Sequence, residues 1–410
     1  MNFTDSYKTI LLFHGVICLF FLSISDAQES DPSIDFVNCN VTISKSGIVA
    51  VVCNSSPQQG GHIFLALLDT ANKFIFHPCI VNGSLTGYGQ NADLGIDEYG
   101  NVTVTWEQWQ DGRGAVWYTR FSNIGSCIDS AQRTADHDMP SMCPRVSIHP
   151  HGNGVIVWQD YRWGRPAIYA QRYGDKGEKI GENFLVTKGI SLPQYPCVKM
   201  GIDSSMVFAW QDLEEKLFHV YAKESNWKLL FSQNIVVDES KGNAYSSNPE
   251  VLNRGADDYF IVWKDYRTGE SDIYLQKIKN KKKFTRANIK VNDDRTKQWQ
   301  RLPRIAGSTK GRFVCVWEDY RNDFKNQIGD IYAQLFNYEG RPIGRNFIVN
   351  KTPEPTVQEF PAVAMNEKGK FVVAWCDGRN NQIQVYIQRF LSNGQRIHPE
   401  RIVFPSPCVD

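Results

Sequence analysis

Six tryptophans close apolar runs at a near-constant interval: Trp106, Trp158, Trp210, Trp263, Trp317 and Trp375, spaced by 52, 52, 53, 54 and 58 residues. Fifty-three residues before Trp106 stands Cys53, which closes the run Gly47-Ile-Val-Ala-Val-Val-Cys and marks a degenerate seventh copy. Fourteen residues ahead of each anchor are Cys39, Ala92, Pro144, Pro196, Pro249, Pro303 and Pro361. Ten residues after it are Ile63, Val116, Ile168, Val220, Ile273 and Val385; Ile331 comes four later, behind the insertion 322–327. The next residue is aromatic in every copy: Phe64, Trp117, Tyr169, Tyr221, Tyr274, Tyr332 and Tyr386. Such a repeat is one supersecondary unit used seven times, and a unit of this kind buries its apolar faces against its neighbours.

Each copy reads as four short strands. In the last copy they are Pro361 to Met365, Phe371 to Trp375, Val385 to Phe390 and Arg401 to Phe404, with turns at Asn366 to Gly369 and near Gly394. Val, Ile, Tyr and Phe fill the runs while Gly, Asn and Asp fill the gaps, which is a strand pattern. The second strand is apolar at every position, so both of its faces must be covered. A lone four-stranded sheet cannot do that, whereas sheets packed face to face around an axis can. The expected fold is therefore all-β: a seven-bladed β-propeller of four-stranded antiparallel blades. The expected blades are 37–90, 91–142, 143–194, 195–247, 248–301, 302–359 and 360–410, forming a single domain over 28–410.

Residues 1–27 read as a secretory signal peptide. Lys8 precedes an apolar run from Ile10 to Leu22, and Ser25 and Ala27 suit cleavage before Gln28. No later stretch is apolar for 18 residues, so no membrane span is expected in the mature chain and the protein is expected to be secreted. N-x-[ST] sequons at Asn40, Asn54, Asn82, Asn101 and Asn350 are candidate surface glycosylation sites. Nine cysteines follow the signal, none in a CxxC pair, and export favours pairing of some. The first copy starts on its inner strand and the last ends on its outer one, so closure needs another device. Cys39 and Cys408 would be neighbours in a closed ring, and a disulfide between them is expected. Cys127 could pair with Cys143, or Cys143 with Cys197. Cys53, Cys315 and Cys376 fall on core strands as buried thiols.

A charged pattern follows the anchors: Trp158-Gln-Asp-Tyr-Arg162, Trp263-Lys-Asp-Tyr-Arg267, Trp317-Glu-Asp-Tyr-Arg321 and Trp375-Cys-Asp-Gly-Arg379. Because it repeats, it is read as a structural tie: Asp receives turn N–H groups and Arg fastens the loop. Function is sought where symmetry breaks, in the loops that enter the inner strands. The candidate ligand-binding residues are Tyr88, Trp109, His137, Trp163, Tyr195, Tyr245, Trp299, Arg301 and Phe360, since aromatics beside Arg suit stacking on sugar rings or a protein hot spot. No catalytic residue is assigned. His149 and His151 read as a solvated turn rather than a metal site, and nothing calls for a cofactor.

The Trp-x-Asp-x-Arg and Asp-Ile-Tyr-x-Gln elements (Asp272 to Gln276, Asp330 to Gln334) resemble a propeller-like repeat common in secreted bacterial surface proteins. That resemblance covers copies three, five, six and seven well, and it implies a propeller and export but no single activity. A balance of 45 Lys+Arg against 44 Asp+Glu excludes a nucleic-acid binder held by phosphate contacts. The expected function is binding of an extracellular glycan or protein through the loop-rich face. The alternatives are an extracellular polysaccharide hydrolase or lyase, and a structural matrix component.

Overall fold

The computed structural model describes residues 35–187, 191–238, 245–283, 287–323, 325, 328–351 and 356–404. The signal segment and Cys408 lie outside the described residues. Seven antiparallel sheets stand around a central axis, each a meander of four successive strands. Blade one, for example, is Phe36–Ile43, Val49–Ser55, Ile63–Leu68 and Phe74–Ile80. In blade five the outer strand is split into Lys282–Lys283 and Ile289–Lys290, both paired with Asp272–Lys279. The inner strands start at Phe36, Tyr88, Ser141, Gln194, Ser246, Gln300 and Gln358, so divisions drawn from the Trp register cut slightly into them.

The anchors lie at the interfaces between blades. All six tryptophans are fully buried. Trp317 of blade six, for instance, shares a core with Phe260, Val262 and Leu275 of blade five. Every residue of Val49–Ser55, Gly154–Asp160 and Phe371–Asp377 is buried, as expected for a strand covered on both faces. Truncating such a Trp costs about 3–5 kcal/mol.

The ring closes without exchanging a strand. Phe36, Val49 and Phe64 of blade one join Ala374, Val385, Val403 and Phe404 of blade seven in one core. Arg389 of blade seven reaches across this seam, donating to Asn72 Oδ1 at 2.5 Å and to the carbonyls of Gly47 and Asp69 at 3.2 and 2.6 Å.

Two groups of expectations are corrected. Asn40, Asn54, Asn82 and Asn350 are buried rather than on the surface, and their amides are engaged. Asn82 and Asn350 accept the first N–H of the third strand, from Ile63 and Ile331, both at 2.9 Å, a blade-closing role that leaves a glycan no outlet. Only Asn101 is half-exposed, with its amide on Asp97 at 2.8 Å. The Cys127–Cys143 pair is also absent, and so is Cys143–Cys197: all three thiols are free. Cys127 opens the outermost strand of blade two, whereas Cys143 lies in the innermost strand of blade three.

Candidate functional site

One backbone feature recurs in every blade. Asn38, Asn91, Cys143, Tyr195, Asn248, Leu302 and Phe360, each fifteen residues before its anchor, have positive φ between 47° and 114°. Each sits in a register shift of the inner strand, for example between Arg301 and Arg304 or Glu359 and Ala362. A non-glycine residue in the left-handed region is uncommon, and seven at one repeat position mark a built-in bulge. It turns two sets of side chains toward the axis, one deep and one at the mouth.

The deep set forms a floor. Arg145 of blade three and Arg304 of blade six both bond the Glu250 carboxylate of blade five, and Asp93 lies 3.7 Å from Arg145. Cys197 Sγ donates to Glu250 at 3.4 Å. The contact from blade three to blade five passes over blade four, so this Arg–Glu–Arg triad lies on the axial side of the inner strands and ties blades three, five and six together. Burial would raise the Glu250 carboxyl, but the Arg145 and Arg304 guanidiniums outweigh it and hold it down at about 2.

Above the floor the mouth is rimmed by paired aromatics. Tyr88 stacks on Trp109 (centroids 6.2 Å apart, 3° between planes), Tyr245 meets Tyr266 edge-on at 5.9 Å, and Trp299 meets Tyr320 at 6.5 Å. Each pair joins the residue eighteen before its anchor to the residue three after it. A Cβ on Gly87 (φ +86°) would lie 1.9 Å from the Trp109 carbonyl oxygen, so only glycine lets the chain enter there. Tyr195 sits among Cys143, Tyr245, Tyr161 and Glu107, and burial pushes its hydroxyl pKa up.

The charges at the mouth are asymmetric. The residue following each anchor is Asn54, Glu107, Gln159, Gln211, Lys264, Glu318 or Cys376, paired across the sheet in blades six and seven with Arg301 and Glu359. Some of these residues fasten the neighbouring bulge: Cys143 N donates to Glu107 at 2.9 Å, and Phe360 N donates to Glu318 at 2.8 Å. The second oxygen of Glu318 lies 3.2 Å from Arg301 Nη2 and 3.5 Å from the Tyr320 hydroxyl, which Arg301 also bonds. Burial, reinforced by the Glu318 carboxylate, raises the Glu359 carboxyl to about 8. Burial and the Arg301 charge lower the Lys264 ammonium to about 8. The sequence reading did not single out Lys264, Glu318 or Glu359.

The repeated Asp/Arg pattern is structural. Trp158, Trp263, Trp317 and Trp375 donate their indole N–H to Asp160, Asp265, Asp319 and Asp377 at 2.7, 3.0, 2.7 and 2.9 Å. The same carboxylates take the backbone N–H of Arg162, Arg267, Arg321 and Arg379 at 2.9–3.0 Å. Each Arg then lies over the next aromatic, Tyr169, Tyr274, Tyr332 or Tyr386, at 3.8–4.2 Å.

Of the sequence candidates, Tyr88, Trp109, Tyr195, Tyr245, Trp299, Arg301 and Phe360 gather at the mouth. His137 does not: its Nε2 is 2.9 Å from Asp160, inside the structural tie of blade three. Trp163, 75% exposed, stands over the outer rim, beside Tyr169 and a cleft of about 190 Å³. His149 and His151 lie on the opposite face and link blades. His149 bonds the Ile202 carbonyl at 3.1 Å and is buried, not solvated, and His151 meets Glu98 at 2.9 Å.

No protein-family model and no curated protein sequence matches the chain. Solved structures do match in fold. One is a protein of unknown function from Dyadobacter fermentans: 10% identity, TM-score 0.52, 88% of this chain and 99% of that one. Another is an α-L-arabinanase of Penicillium chrysogenum complexed with arabinobiose: 12% identity, TM-score 0.51, 73% of this chain and 92% of that one. A puromycin hydrolase is similar over 91% of this chain, at 9% identity and TM-score 0.55, and this chain spans 55% of its length. At such identities the likeness speaks for the fold.

Proposed function

We propose that this is a secreted β-propeller that binds an extracellular glycan at the mouth of its central channel. The observation that carries this reading is the rim of aromatic pairs, Tyr88/Trp109, Tyr245/Tyr266 and Trp299/Tyr320, set beside Arg301 and above the Glu250 triad. Sugar rings offer apolar faces for stacking and hydroxyls for charged hydrogen bonds, and this rim supplies both partners. The arabinanase of similar fold is complexed with arabinobiose. Export through residues 1–27 belongs to the same proposal.

A second reading has its own support in Glu318 and Glu359. Burial and the Glu318 charge favour the protonated form of Glu359, while Glu318 lies 3.2 Å from Arg301, so the two carboxyls are the candidates for acid and base in glycosidic hydrolysis. One experiment separates the two readings. The full secreted chain is screened on a glycan array, and every polysaccharide it binds is assayed for cleavage. Binding without cleavage supports the first reading, and chain cleavage lost in Glu359→Gln supports the second. Trp299→Ala and Tyr245→Ala should each weaken binding at least about tenfold at unchanged thermal midpoint, the scale of a buried aromatic contact. Unfolding of both variants would make these residues core and end the site reading.

A further inference from the structure

We propose that the glycan held at the mouth carries a carboxylate, a uronic acid or similar acidic sugar, and that Lys264 with Arg301 receives it. The proposal rests on the mouth being the glycan site and names the class of sugar it takes.

Lys264 directly follows the anchor of blade five, and Arg301 pairs with the corresponding residue of blade six, so both occupy the same level of the ring. The two cations thus stand on neighbouring blades at one level, and the Arg301 charge acts on the Lys264 ammonium. The Lys264 side chain forms no hydrogen bond or close ion pair with any described residue; its ammonium lies 5.3 Å from the Tyr266 ring centroid, and the Glu318 carboxylate acts on it only at longer range. Arg301 shares one edge with Glu318 and Tyr320, lies 4.8 Å over the Tyr320 ring, and keeps a buried Nε–H without an acceptor. A half-buried ammonium next to a guanidinium is unfavourable unless an anion joins them. Of the carboxylates here, Glu318 has its oxygens taken by Phe360 N–H, Arg301 and Tyr320, and Glu270 accepts the Trp299 indole N–H at 2.5 Å. The other nearby carboxyl, Glu359, is pushed up by burial and by the Glu318 carboxylate, so its charged form is disfavoured. No carboxylate of the described residues is hydrogen-bonded to the Lys264 ammonium, and the half-exposed Trp299, edge-on to the buried Tyr320, offers a ring at the mouth to carry the sugar that bears the carboxylate. Elsewhere at the mouth, beside Tyr88 and Trp109, the ionic residue is Glu107, whose oxygens bond Gln90, Asn91, Trp109 and Cys143. The acidic group is therefore directed to blades five and six and not to blade two.

The test uses oligosaccharides of polygalacturonate, alginate and hyaluronan, each beside its carboxyl-reduced counterpart, titrated calorimetrically into the full chain and into Lys264→Met. At least one acidic series should bind about tenfold or more tighter than its reduced form, and Lys264→Met should abolish that preference while leaving affinity for the reduced form unchanged. Equal affinity for acidic and reduced forms would overturn the assignment and leave the glycan site intact, as would a preference that survives in Lys264→Met. Failure of these six probes and of the whole glycan array would overturn the glycan reading together with it.

Discussion

Replacing Glu250 by Gln should destabilise the propeller by about 3–5 kcal/mol, because it leaves the buried Arg304 without its anion and Arg145 with only Asp93, 3.7 Å away. The side chains of Arg145, Glu250 and Arg304 are 17%, 7% and 21% exposed, so water cannot substitute for the lost charge. Acid titration gives a second route to the magnitude. The Glu250 carboxyl is held at about 2 against an ordinary value of 4.5, and about 1.4 kcal/mol per pH unit makes the depression worth roughly 3 kcal/mol. A depressed carboxyl contributes fully above its unfolded value and loses that contribution as pH falls from about 4.5 toward 2. The wild-type protein should therefore lose stability over that window, and Glu250→Gln should lose about 3 kcal/mol less of it. Unfolding entropy near 2 cal/mol/K per residue over some 370 residues converts 3–5 kcal/mol into a fall of roughly 4–6 °C in midpoint at pH 7. Scanning calorimetry of the full chain measures both quantities. The apolar triple variant Arg145→Met/Glu250→Leu/Arg304→Met provides the control, since an intact buried triad and a well-packed apolar plug are often equivalent. It should unfold above Glu250→Gln. If Glu250→Gln shifts the midpoint by less than about 1 °C, or if the triple variant is the weaker, the triad does not tie the three blades together.

Two further tests follow from the same geometry. Glu359 has the opposite sign: its carboxyl is raised from 4.5 to about 8, so the folded state holds more protons in that window and stability falls as pH rises through it. Glu359→Gln should flatten this decline and be the more stable protein at pH 8; an unchanged slope in chemical denaturation between pH 5 and 8 would count against the buried acid. Peptide mapping of the chain, expressed for export and analysed without reduction, should find Asn82 and Asn350 unmodified and Cys39 linked to Cys408. A glycan on either asparagine refutes the buried assignment. A Cys39–Cys376 link would move the clasp to the thiol that already contacts Cys39 at the seam.

The fold was legible because the repeat positions that build it are constrained alike in every blade. A Trp needs a large dry hole, an Asp two residues later needs its indole and an Arg N–H, and a β-branched residue with an aromatic after it fills the third strand. The Trp recurs in six blades, the Asp and Arg together in four, and the β-branched–aromatic pair in all seven. The bulge did not show, because residues as different as Asn38, Cys143, Leu302 and Phe360 all adopt positive φ there, so it leaves no common residue type. The sequons misled for a related reason: Asn82 and Asn350 sit where a blade needs a short side chain to accept one N–H, and a downstream Ser or Thr then makes a sequon by chance.

The mouth charges were missed although they stand next to the anchors, because attention went to what repeats. The second strand is buried at almost every position, yet the residue after the anchor runs Asn, Glu, Gln, Gln, Lys, Glu, Cys. Burying a charge is costly, and a fold that needed nothing at that position would place Val there in every blade. Polar identity that varies from blade to blade, inside a strand otherwise kept apolar, is therefore the trace of a demand the fold does not make. The same test applied to the position sixteen before the anchor picks out Arg301 and Glu359 among Val37, Gln90, Met142, Gln194 and Ser247. Both columns place charges in blades five to seven, where Lys264 and Glu359 each face Arg301 and Glu318 of blade six.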